Sequence, residues 1–299
     1  MIDQMRTSPT NPGADGVRIG AVTYLNSKPL IEGLADFASE ASLILDYPSR
    51  LADGLARGQL DVALVPSIES VADPDYEIVS DACVAARGPV LSVKLYFRTA
   101  PARVRTLALD EGSRTSAALA RLMLAERYGV HPQIEPLRLE QDTTATAADA
   151  VLLIGDRAIE PPAESFRHVW DLGEEWLAWT GLPFVFALWV TRRGSALGRA
   201  EAGLAAARDR GLRDIHDIAR RESKLMRLPL ETVDDYLRHR LHFTLGSAER
   251  SGLRLYLNLA AKLGLAPEGR QPRFRETSPA PRGNAAASTR RERAEPVAR

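Results

Sequence analysis

The sequence predicts an α/β protein of two lobes with a ligand cleft between them. Three observations carry this. Strand-like apolar runs alternate with amphipathic stretches from residue 17 to about residue 193, the βαβ order that builds sheets covered on both faces and so predicts parallel strands. Two strands, at 90–97 and 184–191, each follow a Gly-Pro or Gly-Leu-Pro break and change the character of the chain behind them. The stretch between them is long enough for an α/β unit of its own, and beyond Arg193 the pattern turns helical. Residues 17–98 with 184–275 then form one discontinuous lobe and residues 99–183 the second. An arm (1–16) and a tail (276–299) flank them. The tail holds Pro, Ala, Ser and Arg with almost no large apolar residue and cannot bury a core, and both ends are expected to be disordered.

The elements follow in order. Val17, Ile19 and Ala21 alternate with Arg18, Gly20 and Val22, the period of a strand. Asn26-Ser27-Lys28-Pro29 turns the chain into a helix running to about residue 37, with Pro suited to its first turn. Residues 42–46 form a short strand with Leu43 and Leu45 on one face. Ser49 caps a helix over 50–57 that stops at Gly58. The run 60–65 is almost wholly apolar, a strand buried on both faces, and ends at a second turn where Ser67 is placed like Asn26. Strands follow at 76–84, 90–97 and 103–108. Asp110 to Ser116 leads into an amphipathic helix over 117–128, closed by Gly129. A buried strand at 150–154 ends at Gly155-Asp156. An extended stretch (169–172), a short helix (174–179), the turn Thr180-Gly181-Leu182-Pro183 and the strand 184–191 come next. Helices at 196–210, 215–227, 230–241 and 248–263 complete the chain, with 243–245 as a linker or short strand.

Composition excludes several classes of function. Lys plus Arg equals Asp plus Glu at 39 each, so the net charge is zero, which argues against a nucleic-acid partner. The single cysteine, Cys83, rules out a disulfide framework or a multi-cysteine metal site and reads as a small buried hydrophobe. His239 and His242 have no acidic residue at a zinc-motif spacing, so no metal is expected. There is no Gly-x-Gly-x-x-Gly after a strand, no P-loop and no Gly-x-Ser-x-Gly elbow, so no cofactor is expected either. The first sixteen residues lack the apolar centre of a signal peptide, and the apolar runs fall short of the ~20 residues of a spanning helix. A cytoplasmic protein with no membrane partner is the expectation.

What remains is a set of small polar groups at turns: Asn26, Ser27, Ser67, Ser92, Ser113, Thr115, Ser116 and Thr180. In open α/β sheets small ligands bind beyond the carboxyl ends of strands, where the turns at Asn26, Ser67, Ser113 and Gly155 all lie. The Asn26 amide can both donate and accept. It can equally cap its helix, the commoner use of Asn at such a place. The Ser113–Ser116 run opens a helix, whose amino end attracts anions, with Arg114 available to clamp a carboxylate. It also fits a plain cap with Arg114 paired to Asp110 or Glu111. The residues by themselves support a cleft for a small carboxylate.

Six blocks resemble the chorismate dehydratases of menaquinone biosynthesis. They are residues 17–30, Leu-Asp-Val-Ala-Leu-Val-Pro-Ser-Ile-Glu (60–69), Gly-Pro-Val-Leu-Ser-Val (88–93), the Ser113–Ser116 turn with its helix, Val-Leu-Leu-Ile-Gly-Asp (151–156), and 170–189 with Trp-Thr-Gly-Leu-Pro-Phe-Val-Phe-Ala. They stand in that family's order across most of 17–268. The resemblance implies a fold like the type II periplasmic binding proteins, and dehydration of chorismate to 3-(1-carboxyvinyloxy)benzoate on the futalosine route. It makes Asn26 the catalytic asparagine and Ser92 the active-site serine. The expected substrate contacts are Ser27, Ser67, Ser113, Arg114, Thr115, Ser116, Gly155, Asp156, Thr180 and Gly181. The expected proton acceptor is the substrate's own enolpyruvyl carboxylate, with Asp156 as the acidic alternative. Ala86-Arg87 departs from the family pattern, where many relatives carry Ser or Asp. The sister family that forms 1,4-dihydroxy-6-naphthoate shares the fold, but the Trp-Thr-Gly-Leu-Pro-Phe block and the Asn26 turn fit the dehydratases better. A transporter's solute-binding protein would carry a signal peptide and a lipid-attachment cysteine.

Overall fold

The computed structural model describes residues 16–275, so the expected arm, apart from Gly16, and the expected tail lie outside the described residues. The chain begins with β1 (Arg18–Val22), a 3-10 turn (Leu25–Ser27), α1 (Lys28–Ile31) and α2 (Leu34–Phe37). Gly33 at φ +66° breaks what the sequence predicts as one helix. β2 (Ser42–Asp46), α3 (Pro48–Ala56) and β3 (Val62–Pro66) follow. Ser49 is not the cap of α3: the helix starts at Pro48, which needs no N–H partner there, and Ser49 lies in its first turn. β4 (Tyr76–Ala86), β5 (Val93–Phe97), β6 (Thr106–Asp110), α4 (Arg114–Tyr128), β7 (Gln133–Leu137), β8 (Ala150–Ile154), β9 (His168–Asp171) and α5 (Leu172–Thr180) come next. β10 (Phe184–Arg192) then leads to α6 (Arg199–Arg213), α7 (Ile215–Met226), α8 (Leu230–Asp235), a π turn (Tyr236–Arg240), β11 (His242–Thr244) and α9 (Ser247–Lys262).

These strands form two sheets, ordered β11-β4-β10-β3-β1-β2 and β7-β6-β8-β5-β9. The expected parallel sheets are in fact mixed. β1 is parallel to β2 and β3, and β6 to β7 and β8. β10 runs antiparallel to β3 and β4, and β5 antiparallel to β8 and β9. The reason lies in the two crossings: a strand entering or returning from the other sheet has no βαβ helix to turn it round. β5 pairs in the second sheet, so residues 93–97 do not belong with the first lobe as expected, and the outward crossing is the stretch 87–92. β7 went unread because Gln-Ile-Glu-Pro-Leu has no apolar run; it is an edge strand, where Pro is tolerated.

The junction between the sheets is solid. Trp176, Phe184 and Tyr256 meet with ring centroids 4.9–6.2 Å apart, drawing α5, β10 and α9 together. The Tyr256 hydroxyl donates to the Thr115 carbonyl at 3.0 Å and joins α9 to α4. Cys83 is buried, in line with its reading as a small hydrophobe. Among the described residues no helix is long and apolar enough to cross a membrane.

Candidate active site

The carboxyl ends of β1, β3 and β8, the amino end of α4 and the 87–92 crossing surround a small cavity. Val22, Val84, Val90, Val93, Ile154 and Phe186 make its wall largely apolar. Its polar side chains are Tyr24, Asn26, Ser92, Ser113 and Ser116, and no Asp, Glu, Lys, Arg or His among the described residues lines it.

Each polar group is held by its own local structure. Asn26 sits in the 3-10 turn at the end of β1, and among the described residues it caps neither that turn nor α1. Its Oδ1 is buried with no hydrogen-bond partner among the described residues. A buried amide oxygen left bare is costly, and Asn26 is one of the residues that line the cavity. Ser92 follows Leu91, a non-glycine residue at φ +66°, a conformation that costs about 1–2 kcal/mol. Asp171 holds that turn, accepting from Val90 N at 2.9 Å and Leu91 N at 2.7 Å while also capping α5. The Ser92 carbonyl accepts from Gly155 N at 2.8 Å and ties the crossing to the end of β8.

Ser113 is the N-cap of α4, its Oγ accepting from Ser116 N at 3.3 Å, and both hydroxyls face the cavity. The turn before it hangs on Asp110, buried, which accepts from Gly112 N at 2.8 Å and from Ile154 N at 3.1 Å and pairs with Arg157. Burial pushes the Asp110 carboxyl above its ordinary range, with the Arg157 charge opposing. Gly155 lies at φ +69°, and a Cβ there would stand 2.7 Å from the Tyr24 ring, so backbone and aromatic face can touch only at a glycine.

Several expected substrate contacts lie elsewhere. Ser27 is buried and donates back to the carbonyls of Val22 and Tyr24, holding the 3-10 turn. Ser67 donates to the Val185 carbonyl at 2.7 Å and ties β3 to β10. Thr115 accepts from Ile68 N at 3.1 Å and is not among the residues that line the cavity. Arg114 is paired with Asp53 and Glu69, not with Asp110 or Glu111. Thr180 donates to the Trp176 carbonyl, and Gly181 at φ +70° ends α5, so both shape the return crossing instead of the cavity. The departing pair Ala86-Arg87 also stays away from the cavity: Ala86 is buried, and Arg87 binds Glu249.

Asp156 stands just behind the cavity wall. It accepts from Leu25 N at 2.9 Å and so links the end of β8 to the end of β1. Burial pushes its carboxyl up to about 6. Sequence reading missed Tyr236, whose phenol donates to Ser92 Oγ at 2.7 Å. In sequence Tyr236 is one more apolar position on the face of a helix, and nothing local marks it. Among the described residues no three His, Cys, Asp or Glu side chains gather into a metal site.

Comparison with known proteins bears on this geometry. The family model described as Menaquinone biosynthesis matches residues 17–262. The chorismate dehydratase of Thermus thermophilus is 31% identical over 268 residues, covering 80% of this chain and 96% of that protein. The chorismate dehydratase of Campylobacter jejuni is 26% identical over 243 residues, covering 81% and 93%. A Candida albicans protein described as having the generic periplasmic binding protein fold superposes with a TM-score of 0.55 at 12% identity, covering 85% of this chain and 92% of that one. At that identity the likeness speaks to fold alone: two sheets with the cavity between them.

Proposed function

The chain belongs to the menaquinone-biosynthesis family, and from that premise we propose that it is a chorismate dehydratase, a hydro-lyase forming 3-(1-carboxyvinyloxy)benzoate. The observation that carries the reading is a largely apolar cavity whose polar lining side chains are all neutral. Dehydration of chorismate suits such a site. The ring C–H electron pair becomes a new ring π bond, the neighbouring C–O bond breaks, and proton and hydroxide leave as water. The ring becomes aromatic, so much of the driving force belongs to the substrate. The protein has to orient a dianion, exclude water and meet the departing hydroxyl, a mechanism of positioning.

In this reading the amino end of α4, with Ser113 and Ser116, holds one substrate carboxylate. Asn26 and Ser92 flank the reacting carbons. No protein carboxylate serves as base; the enolpyruvyl carboxylate, held by Asn26, takes the proton. Asp156 is turned to Leu25 N and holds the two sheets in register. The lobes we assign are residues 17–92 with 184–275 and residues 93–183, and we place the protein in the cytoplasm. Incubation of the purified protein with chorismate, followed by mass spectrometry, should show loss of water and an aromatic product. Chorismate returned unchanged overturns the proposal.

A further inference from the structure

The carboxyl-terminal helices send one side chain to the site. The chain leaves α8 at Asp235 and makes a π turn, Tyr236–Arg240, where the sequence pattern predicts regular helix. Such turns are rare, re-aim the side chains they carry, and recur at functional sites. The first residue of this one is Tyr236, which has no exposed surface. Its phenol donates to Ser92 Oγ at 2.7 Å, and Ser92 lines the cavity together with Asn26. Tyr236 itself does not line the cavity.

The direction of this bond decides what Ser92 can do. A serine hydroxyl has one proton to donate and two lone pairs. Tyr236 fills one lone pair, so the Ser92 proton points elsewhere, and Ser92 lines the cavity. Burial, with Asp156 nearby, keeps the phenol protonated far above its ordinary range, so it donates at any working pH. Asn26, whose Oδ1 has no hydrogen-bond partner among the described residues, lines the same cavity.

We propose that Tyr236 is a positioning residue for the dehydration, fixing Ser92 as the hydrogen-bond donor to the departing hydroxyl beside the acceptor oxygen of Asn26. This rests on the chorismate reading above. Tyr236→Phe keeps the ring and removes the donor. It is compared with the parent, Ser92→Ala and the double variant for kcat, KM and melting temperature. In Tyr236→Phe, kcat should fall about 10- to 100-fold with KM within about twofold. In the Ser92→Ala background the Phe substitution should cost nothing more, because both residues act through one hydroxyl. Tyr236→4-aminophenylalanine keeps an N–H donor on the same ring and should restore most of kcat. Unchanged kcat in Tyr236→Phe, equal losses with and without the Ser92 hydroxyl, or no rescue by the amino variant each overturns the proposal. If Tyr236→Phe does not fold, the amino variant decides: parental kcat supports the role, and lost kcat at the parental melting temperature overturns it. A parent that leaves chorismate unchanged overturns the function and this role together, whereas an active parent with an equally active Phe variant overturns only the role.

Discussion

Asp156→Asn should stabilise the protein at neutral pH and leave its acid stability unchanged. Burial pushes the Asp156 carboxyl from 3.8 up to about 6, against the Leu25 N–H and Lys28, with Glu222 adding to the rise. The proton is therefore held more tightly in the folded chain than in the unfolded one. The stability it contributes is complete below about pH 4, falls as the pH rises towards 6, and is gone above it. A rise from 3.8 to about 6 corresponds to roughly 3 kcal/mol. Asn keeps an acceptor oxygen for Leu25 N and never ionises, so the variant lacks this slope. The stability difference, variant minus parent, should be near zero at about pH 4 and grow to roughly 3 kcal/mol by pH 7. Every other titrating group is common to both proteins and cancels in the difference. Urea unfolding in small pH steps measures it. A flat difference, or a variant that loses ground as the pH rises, refutes the assignment of this carboxyl. Chorismate turnover by the same preparations adds a second reading: in the proposed mechanism no protein carboxylate acts as base, so turnover should survive. A loss of about 10²–10⁴-fold, the scale of a missing general base, would hand that role to Asp156.

Other substitutions test the cavity wall. Asn26→Ala should lose about 10²-fold or more in turnover at an unchanged melting temperature, because its side chain caps no helix; a destabilised but fully active variant would make Asn26 structural. Gly155→Ala puts a Cβ 2.7 Å from the Tyr24 ring on a left-handed backbone, and should cost at least about 1–2 kcal/mol and displace the ring into the cavity; parental stability and KM would contradict this. Ser116→Ala should raise KM for chorismate more than it lowers kcat, and unchanged affinity removes Ser116 from the carboxylate site. Arg114→Ala should leave KM alone, since its partners are Asp53 and Glu69; a KM several-fold higher would bring Arg114 back to the ligand.

The sheets and their crossings were legible because their signals are local. The apolar run at Val62–Pro66, the alternation of Arg18–Val22 and the Gly-Pro breaks before β5 and β10 each occupy a few consecutive residues. Strand direction was not local. Whether β10 pairs parallel or antiparallel with β3 depends on the chain having crossed to the other sheet and back. The Asp171 carboxylate under the Ser92 turn is invisible for the same reason, lying 80 residues away from Leu91. So is Tyr236, 144 residues from Ser92, whose aim depends on a π turn that no residue pattern announces.

The polar turn residues divide on a rule that was available but coarsely applied. The turns at Asn26, Ser67, Ser113 and Gly155 follow strands, whereas Thr180 ends α5. Which of them reach the cavity follows from the periodicity of the turn each belongs to. In α4, Ser113 and Ser116 are three apart, share one face and line the cavity. Arg114 and Thr115, between them, turn to Asp53 and to Ile68 N. In the 3-10 turn, neighbours point about 120° apart; Asn26 faces inward, and Ser27 turns back to the carbonyls of Val22 and Tyr24. A strand-end turn therefore supplies the cavity wall with every third side chain or so and spends the others on holding its own shape. This is why a cavity with no charged side chain in its wall still needs Ser27, Ser67, Thr115 and Asp156 just behind it: they fix the backbone that aims Asn26, Ser92, Ser113 and Ser116.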